Sequence, residues 1–135
     1  MEALVLGGGK AERLGDAAQG LPKPLVPIVG FPLAGYAVAR LVEAGVTRVI
    51  VACRTGDEDA FVNALSGLGA EIEAVGEEEP LGRGGGLRLA ATRRQEEGPV
   101  LALNGDELLD LDFRALVAEH EASTAAATIV VAQVR

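Results

Sequence analysis

The sequence predicts an α/β domain of Rossmann-like, doubly wound type, with a mainly parallel sheet and helices on both faces. Short runs rich in β-branched and aliphatic residues, such as "ALVL" from Ala3 and "RVIVAC" from Arg48, alternate with longer segments of helical period, which is the pattern of a βαβ chain. The 135 residues leave room for one compact domain. The two most polar and glycine-rich strand ends, after Leu6 and at Asn104, fall on strands that a doubly wound order sets side by side.

The first strand starts near Ala3 and runs into Gly7, Gly8 and Gly9. From Gly7 to Gly30 the connection is too long for an ordinary βα loop, and long loops inside a compact domain usually carry function. A helix is predicted just after Phe31, with Pro32 in its first turn and Gly45 as its stop. Its inward rows are Leu33, Ala37, Leu41 and Ala34, Val38, Val42. The second strand starts near Arg48, and Asp57 is the expected N-cap of the next helix. There Phe61, Ala64, Leu65 and Leu68 fall at i, i+3, i+4 and i+7. A third strand starts near Glu71 and leads into a second notable connection, Gly76 to Gly86, rich in Gly and Glu. The fourth starts near Pro99. Asp112 is the expected cap of a helix whose apolar side holds Phe113, Leu116, Val117 and, at its margin, His120, which is read as structural. A fifth strand is expected from Ala127.

If the first three strands run outward in one direction and the fourth returns to the other side of the first, the order reverses between strands one and four. Ligands of such sheets bind in that crevice, beyond the carboxyl ends of the strands. The loops that leave those two strands are "GGGKAERLG" from Gly7 and "NGDELLD" from Asn104.

Composition narrows the ligand. Twenty acidic against twelve basic side chains give a net charge of −8, which argues against a nucleic-acid surface because phosphate backbones demand a basic footprint. A small phosphate ligand remains compatible, since it needs only a local pocket of N–H groups and one or two cations. No apolar run approaches the roughly 18 residues of a membrane span. Met1 leads into an apolar strand without a basic region or cleavage pattern, so the cytoplasm is the expected compartment. Cys53, the single cysteine, lies in "VIVAC" and is expected to be buried and inert.

Gly7, Gly8 and Gly9 follow directly after a strand, where backbone N–H groups can approach an anion; a simple tight turn explains the same glycines equally well. The phosphate-loop pattern of ATPases fails, because it needs Gly at Leu4 and Ser or Thr where Ala11 stands. The dinucleotide fingerprint fails too, lacking its later glycines. Lys10, Arg13 and Lys23 supply cations, and Pro22 and Pro24 fix the backbone around Lys23. A solvent-exposed lysine in a rigid loop is the alternative there. Asp106 follows Asn104 and Gly105 at a strand end that aims a carboxylate at the crevice, where it suits a hard divalent cation or caps the next turn. Glu107, Asp110 and Asp112 fit capping or solvation of the helix that follows.

With these residues in view, the run "LGGGKAERLGDAAQGLPKPLVPIVGFPL" from Leu6 to Leu33 resembles the signature of sugar-1-phosphate nucleotidyltransferases, a GGxGxRL loop followed by PKPL and a PL pair. "EEEPLGRGGGL" and "LALNGDELLDLDF" are similar to that family's base-contacting loop and metal-binding strand end. The resemblance implies transfer of a nucleotide from a nucleoside triphosphate to a sugar 1-phosphate with release of pyrophosphate, in the manner of mannose-1-phosphate guanylyltransferases or N-acetylmuramate-1-phosphate uridylyltransferases. It implies nucleotide contacts at Leu6, Gly8, Gly9, Glu77 and Gly82, phosphate contacts at Arg13 and Lys23, and Mg²⁺ at Asp106. The nucleophile is then the sugar phosphate's own oxygen, and the protein aligns substrates and neutralises charge on the leaving group.

A carboxylate at Glu77 accepts from guanine's ring N–H and amino group, which favours GTP, with UTP or dTTP as alternatives through the backbone at Gly82. Neither nucleic acid nor membrane is an expected partner, and a homo-oligomer is allowed. Ala11 replaces the family's usual Gly and Arg83 a common Thr, the latter adding a charge without an assigned role. Family chains are longer, so residues 1–135 are expected to be the nucleotide-binding domain, with the acceptor-sugar half and its second metal-binding Asp absent. The rival expectation is a non-catalytic nucleotide-binding or regulatory module of the same fold.

Overall fold

A computed structural model describes residues 1–8, 15, 18 and 20–132. In chain order the elements are β1 (Glu2–Leu6), a 3-10 turn (Lys23–Leu25), β2 (Pro27–Ile28), β3 (Phe31–Pro32), α1 (Leu33–Glu43), β4 (Arg48–Arg54), α2 (Glu58–Leu65), β5 (Glu71–Glu77), α3 (Gly82–Ala91), β6 (Leu101–Asn104) and α4 (Phe113–Ala122). The main sheet has the order β5-β4-β1-β6 with every pair parallel, and β2 and β3 form a small antiparallel hairpin. The order therefore reverses between β1 and β6, which is the doubly wound arrangement that the sequence predicts.

Strand alternation sorts the core into two layers. Ala3, Val5, Val49, Val51 and Cys53 face one way and pack with Ala34, Val38 and Leu41 of α1, Phe61 and Leu65 of α2, and Phe113 of α4. Leu4, Ile50, Ala52 and Val75 face the other way and meet Ala90 of α3. Because both faces are covered, β4 reads as an unbroken apolar run rather than an alternating one. Burial pushes the Cys53 thiol up to about 12, with the Glu58, Asp57 and Glu77 carboxylates adding to it, so the thiol stays protonated and inert.

Helix α1 starts just after Pro32, which occupies its N-cap, and ends as predicted. Gly45 takes φ +92°, its N–H donates to the Val42 carbonyl and that of Val46 donates to Leu41, a Schellman stop that only a left-handed residue completes. The Asp112 carboxylate caps α4 by accepting from the Ala115 N–H at 3.0 Å. Asp57 sits at the N-cap of α2 but makes no side-chain cap, because its backbone is already helical.

Two expectations fail. Residues 127–132 form no strand, and Ile129 and Val131 stand 82% and 85% exposed; β-branched composition supplies propensity, but a strand forms only against a ladder partner. The Gly76–Gly86 connection is shorter than predicted, because α3 begins at Gly82. Gly86 and Ala90 are buried on α3, and such small residues let a helix lie close on the sheet, so packing overrides the poor helix propensity of "GRGGG".

At the amino edge of the sheet, Glu2 and Arg48 are register partners with side chains 0% and 7% exposed. Glu2 accepts from Arg48 Nη1 at 3.0 Å, Gln95 N–H at 2.9 Å, Glu96 N–H at 3.2 Å and Arg94 Nε at 3.3 Å. Burial alone would raise its pKa, but these bonds outweigh burial and bring it down to about 2. Arg48 also pairs with Glu71 and Glu73; burial would lower its pKa, but Glu2 first, then Glu71 and Glu73, hold it above the ordinary value. Among the described residues, no helix is long and apolar enough to cross a membrane.

Candidate functional site

The carboxyl ends of the strands open on a cleft of about 460 Å³ lined by Leu6, Gly8, Lys23, Pro24, Glu77, Pro80, Gly82, Arg83, Asn104, Asp106 and Glu107. The sequence-predicted residues Leu6, Gly8, Lys23, Glu77, Gly82 and Asp106 thus surround one space, although Lys23 and Asp106 are 83 positions apart. Arg13 and Gly9 lie outside the described residues.

One end of the cleft is built by β1 and β6. Gly105 donates its N–H to the Leu6 carbonyl at 2.8 Å, which ties the loop after β6 to the end of β1. A Cβ on Gly105 would stand 3.0 Å from that carbonyl oxygen, 3.1 Å from Val5 and 3.3 Å from Pro24, so the close approach needs glycine. Pro24 is buried and stiffens the turn that carries Lys23. The turn and the loop meet in an ion pair, Lys23 Nζ to Asp106 Oδ2 at 2.6 Å. Side-chain exposures of 42% and 28% make this a partly solvated pair worth at most about 1 kcal/mol to the fold. Stability is therefore a weak reason for its existence. Beside it, Glu107 Oε1 accepts from Asn104 Nδ2 at 2.6 Å, rather than capping α4.

The other end is built by β5 and α3. Glu77, the last residue of β5, accepts from the Leu81 N–H at 3.3 Å, which places a carboxylate at the amino end of α3 where the helix dipole favours it. Gly82 opens α3 with φ +70°. Arg83, a charge without an assigned role, lines the cleft from the first turn of α3. Three strand spacings separate β5 from β6, or about 14 Å. The Glu77 carboxylate reaches from the β5 end back toward β1, its Oε2 3.9 Å from where a Cβ on Gly8 would stand, while Lys23 and Asp106 line the cleft beside β6.

His120 lies away from this cleft, its Nδ1 2.9 Å from the Thr128 hydroxyl. The described lining holds cations, carboxylates and backbone but no serine, cysteine or histidine.

The family model described as nucleotidyl transferase matches residues 2–135. The chain belongs to the nucleotidyl transferase family. It is 34% identical over 138 residues to a mannose-1-phosphate guanylyltransferase of Mycobacterium tuberculosis, covering 99% of this chain and 38% of that protein. To the D-glycero-alpha-D-manno-heptose 1-phosphate guanylyltransferase of Aneurinibacillus thermoaerophilus it is 35% identical over 123 residues, covering 89% of this chain and 52% of that one. Among solved structures, the inositol-1-phosphate CTP transferase of T. maritima superposes with a TM-score of 0.71 at 27% identity, over 78% of this chain and 43% of that one. This nucleotidyl transferase chain therefore spans about two fifths to one half of the relatives it matches.

Proposed function

We propose that the chain is the nucleotide-binding part of a sugar-1-phosphate nucleotidyltransferase, which joins a nucleoside triphosphate to a sugar 1-phosphate and releases pyrophosphate. The observation that carries the reading is the Lys23–Asp106 pair, 2.6 Å apart, at the crevice where the strand order reverses. The family membership and the relatives' printed activities support it.

In this reading the triphosphate lies along the carboxyl edge, with its base toward Glu77 and Gly82 and its phosphates toward Lys23. Leu6 and Gly8 floor the cleft between them, and Arg13 joins Lys23 in holding the phosphates. The reaction is an in-line displacement at the α-phosphorus by a sugar phosphate oxygen, which already carries the charge it needs. These residues hold the triphosphate in one orientation and place positive charge beside the departing pyrophosphate, contributions that fall on positioning and electrostatics. A nucleophilic side chain is not required.

Asp106 is the residue that would hold Mg²⁺. Its carboxylate opens on the cleft, and among the described residues there is no cluster of three or more acidic, His or Cys groups that could cage a metal alone. That donor set fits a cation that takes most of its shell from phosphate oxygens and water. When bound, the ion would neutralise phosphate charge as it develops. Lys23 then serves both partners, pairing with Asp106 and turning to phosphate as the triphosphate enters.

The Glu77 carboxylate and the two guanylyltransferase relatives support GTP as the donor. The acceptor sugar is assigned to none of the described residues, and residues 1–135 are read as the donor side of the enzyme, working in the cytoplasm. The test is pyrophosphate release by the full-length protein across the four common triphosphates and a panel of sugar 1-phosphates with Mg²⁺. Release that needs both substrates supports the reading. Tight triphosphate binding without release under any pairing would favour a non-catalytic nucleotide-binding module instead.

A further inference from the structure

We propose that Arg83 selects the base of the bound nucleotide, donating to O6 and N7 of guanine while Glu77 accepts from the N1–H and the 2-amino group. The proposal rests on the nucleotide reading of the cleft and adds to it a specificity residue.

Glu77 is held in place on several sides. One oxygen accepts from the Leu81 N–H at 3.3 Å, and the same oxygen lies 3.9 Å from where a Cβ on Gly8 would stand. The other lies 2.5 Å from where a Cβ on Gly86 would stand, so glycine at that position leaves room for the carboxylate. Two carboxylate oxygens offer about four acceptor sites, and the Leu81 bond uses one of them. Glu77 also lines the cleft.

Arg83 follows in the first turn of α3 and lines the same cleft as Glu77. A cation there opposes the helix dipole, which favours negative charge at an amino terminus. Helix formation therefore gives no reason for it. The phosphate end of the cleft already holds Lys23.

Guanine matches a carboxylate and a guanidinium with two donors and two acceptors, whereas cytosine offers the carboxylate a single amino group and has no N7. Around its perimeter guanine presents, in sequence, the 2-amino and N1–H donors and then the O6 and N7 acceptors. Adenine places an amino donor where the guanidinium needs an acceptor. Uracil and thymine offer a single ring N–H between two carbonyls and have no N7. A planar fork of N–H donors suits the O6 and N7 pair, which arginine contacts bidentately elsewhere in biology.

The experiment measures dissociation constants of the full-length protein for GTP, 7-deaza-GTP, ITP and UTP, in the wild type and in Arg83→Ala. The wild type should prefer GTP over 7-deaza-GTP, which lacks the N7 acceptor, and Arg83→Ala should bind the two alike. The preference for GTP over UTP should fall by about tenfold or more in Arg83→Ala, as expected for loss of a bidentate arginine contact. ITP, which lacks the 2-amino group, should be weakened by the same factor in both proteins because that group belongs to Glu77. Equal weakening of all four ligands in Arg83→Ala would make Arg83 a phosphate contact and overturn the proposal while sparing the nucleotide reading. Wild-type indifference to N7 would overturn it without any variant. Failure of every triphosphate to bind the wild type would overturn both.

Discussion

The carboxylate of Glu77 and the bare α-carbon of Gly86 fill one space between them: Glu77 Oε1 stands 2.5 Å from the point a Cβ on Gly86 would occupy, with a Leu6 methyl at 2.9 Å. Gly84, two residues earlier on the same helix, has nothing within 4 Å of its own Cβ position. Gly84 and Gly86, two of the four glycines of α3, therefore differ in what they do. Gly84→Ala should stabilise the fold by up to about 1 kcal/mol through helix propensity. Gly86→Ala should destabilise it by about 1–3 kcal/mol through overpacking, and should narrow the preference among triphosphates by displacing Glu77. Denaturant midpoints of the two variants check this; equal stabilisation by both would show that Glu77 does not depend on the space at Gly86.

The turn of the β2–β3 hairpin is strained at Val29. Val29 and Gly30 have φ of +53° and +78°, as a two-residue primed turn requires, but a β-branched side chain disfavours the left-handed region. Val29 is 97% exposed, so no packing compensates for the strain. Replacing it with Asn should stabilise the protein by about 1 kcal/mol, read as a rise in urea midpoint at unchanged slope. A lower midpoint would mean that the Val29 side chain makes contacts that the isolated fold does not reveal.

The alternation of strands and helices, Gly8, Lys23 and Asp106 are legible in the sequence because each rests on local pattern, whereas Leu6, Glu77 and Gly82 enter through the family resemblance. Strand runs sit between helical segments, Lys23 sits between prolines, and Asp106 follows Asn-Gly at a strand end. What the sequence hid depends on partners far along the chain. Helix α3 was invisible because "GRGGG" carries poor propensity and only the sheet beneath Gly86 and Ala90 rescues it. The strand expected from Ala127 had the right composition, but composition does not supply a ladder partner. Arg83 reads in the sequence as an added charge, yet Glu77, which lines the same cleft, comes from a different element. The Glu2–Arg48 pair joins residues 46 positions apart; its only signal was a charged residue at the start of each of two apolar strands.

That pair gives the fold a pH dependence. The pKa of Glu2 is brought from 4.5 down to about 2, so its ionised form is favoured by folding. Its contribution is fully present above about 4.5 and is lost as pH falls toward 2. Glu2→Gln should cost on the order of 3 kcal/mol near neutrality, because Arg48 keeps its buried charge without its register partner. The gap between variant and wild type should shrink as pH falls through this window. Unfolding free energies measured from pH 7 to pH 2 test it, and a gap that stays constant would exclude Glu2 ionisation as the cause.

The central claim, that the cleft holds a nucleoside triphosphate by its phosphates at Lys23 and Asp106, is tested most directly by calorimetric titration of GTP and guanosine with Mg²⁺. Wild type, Lys23→Ala and Asp106→Asn are compared. The ion pair is partly solvated, so both variants should keep the fold within about 1 kcal/mol of wild type. Lys23→Ala should weaken GTP by about 1.5–3 kcal/mol, as for a lost charge-assisted contact, and leave guanosine nearly unchanged. Asp106→Asn should abolish the Mg²⁺-dependent part of GTP affinity. Equal losses for GTP and guanosine in Lys23→Ala, together with undiminished Mg²⁺ dependence in Asp106→Asn, would contradict the claim.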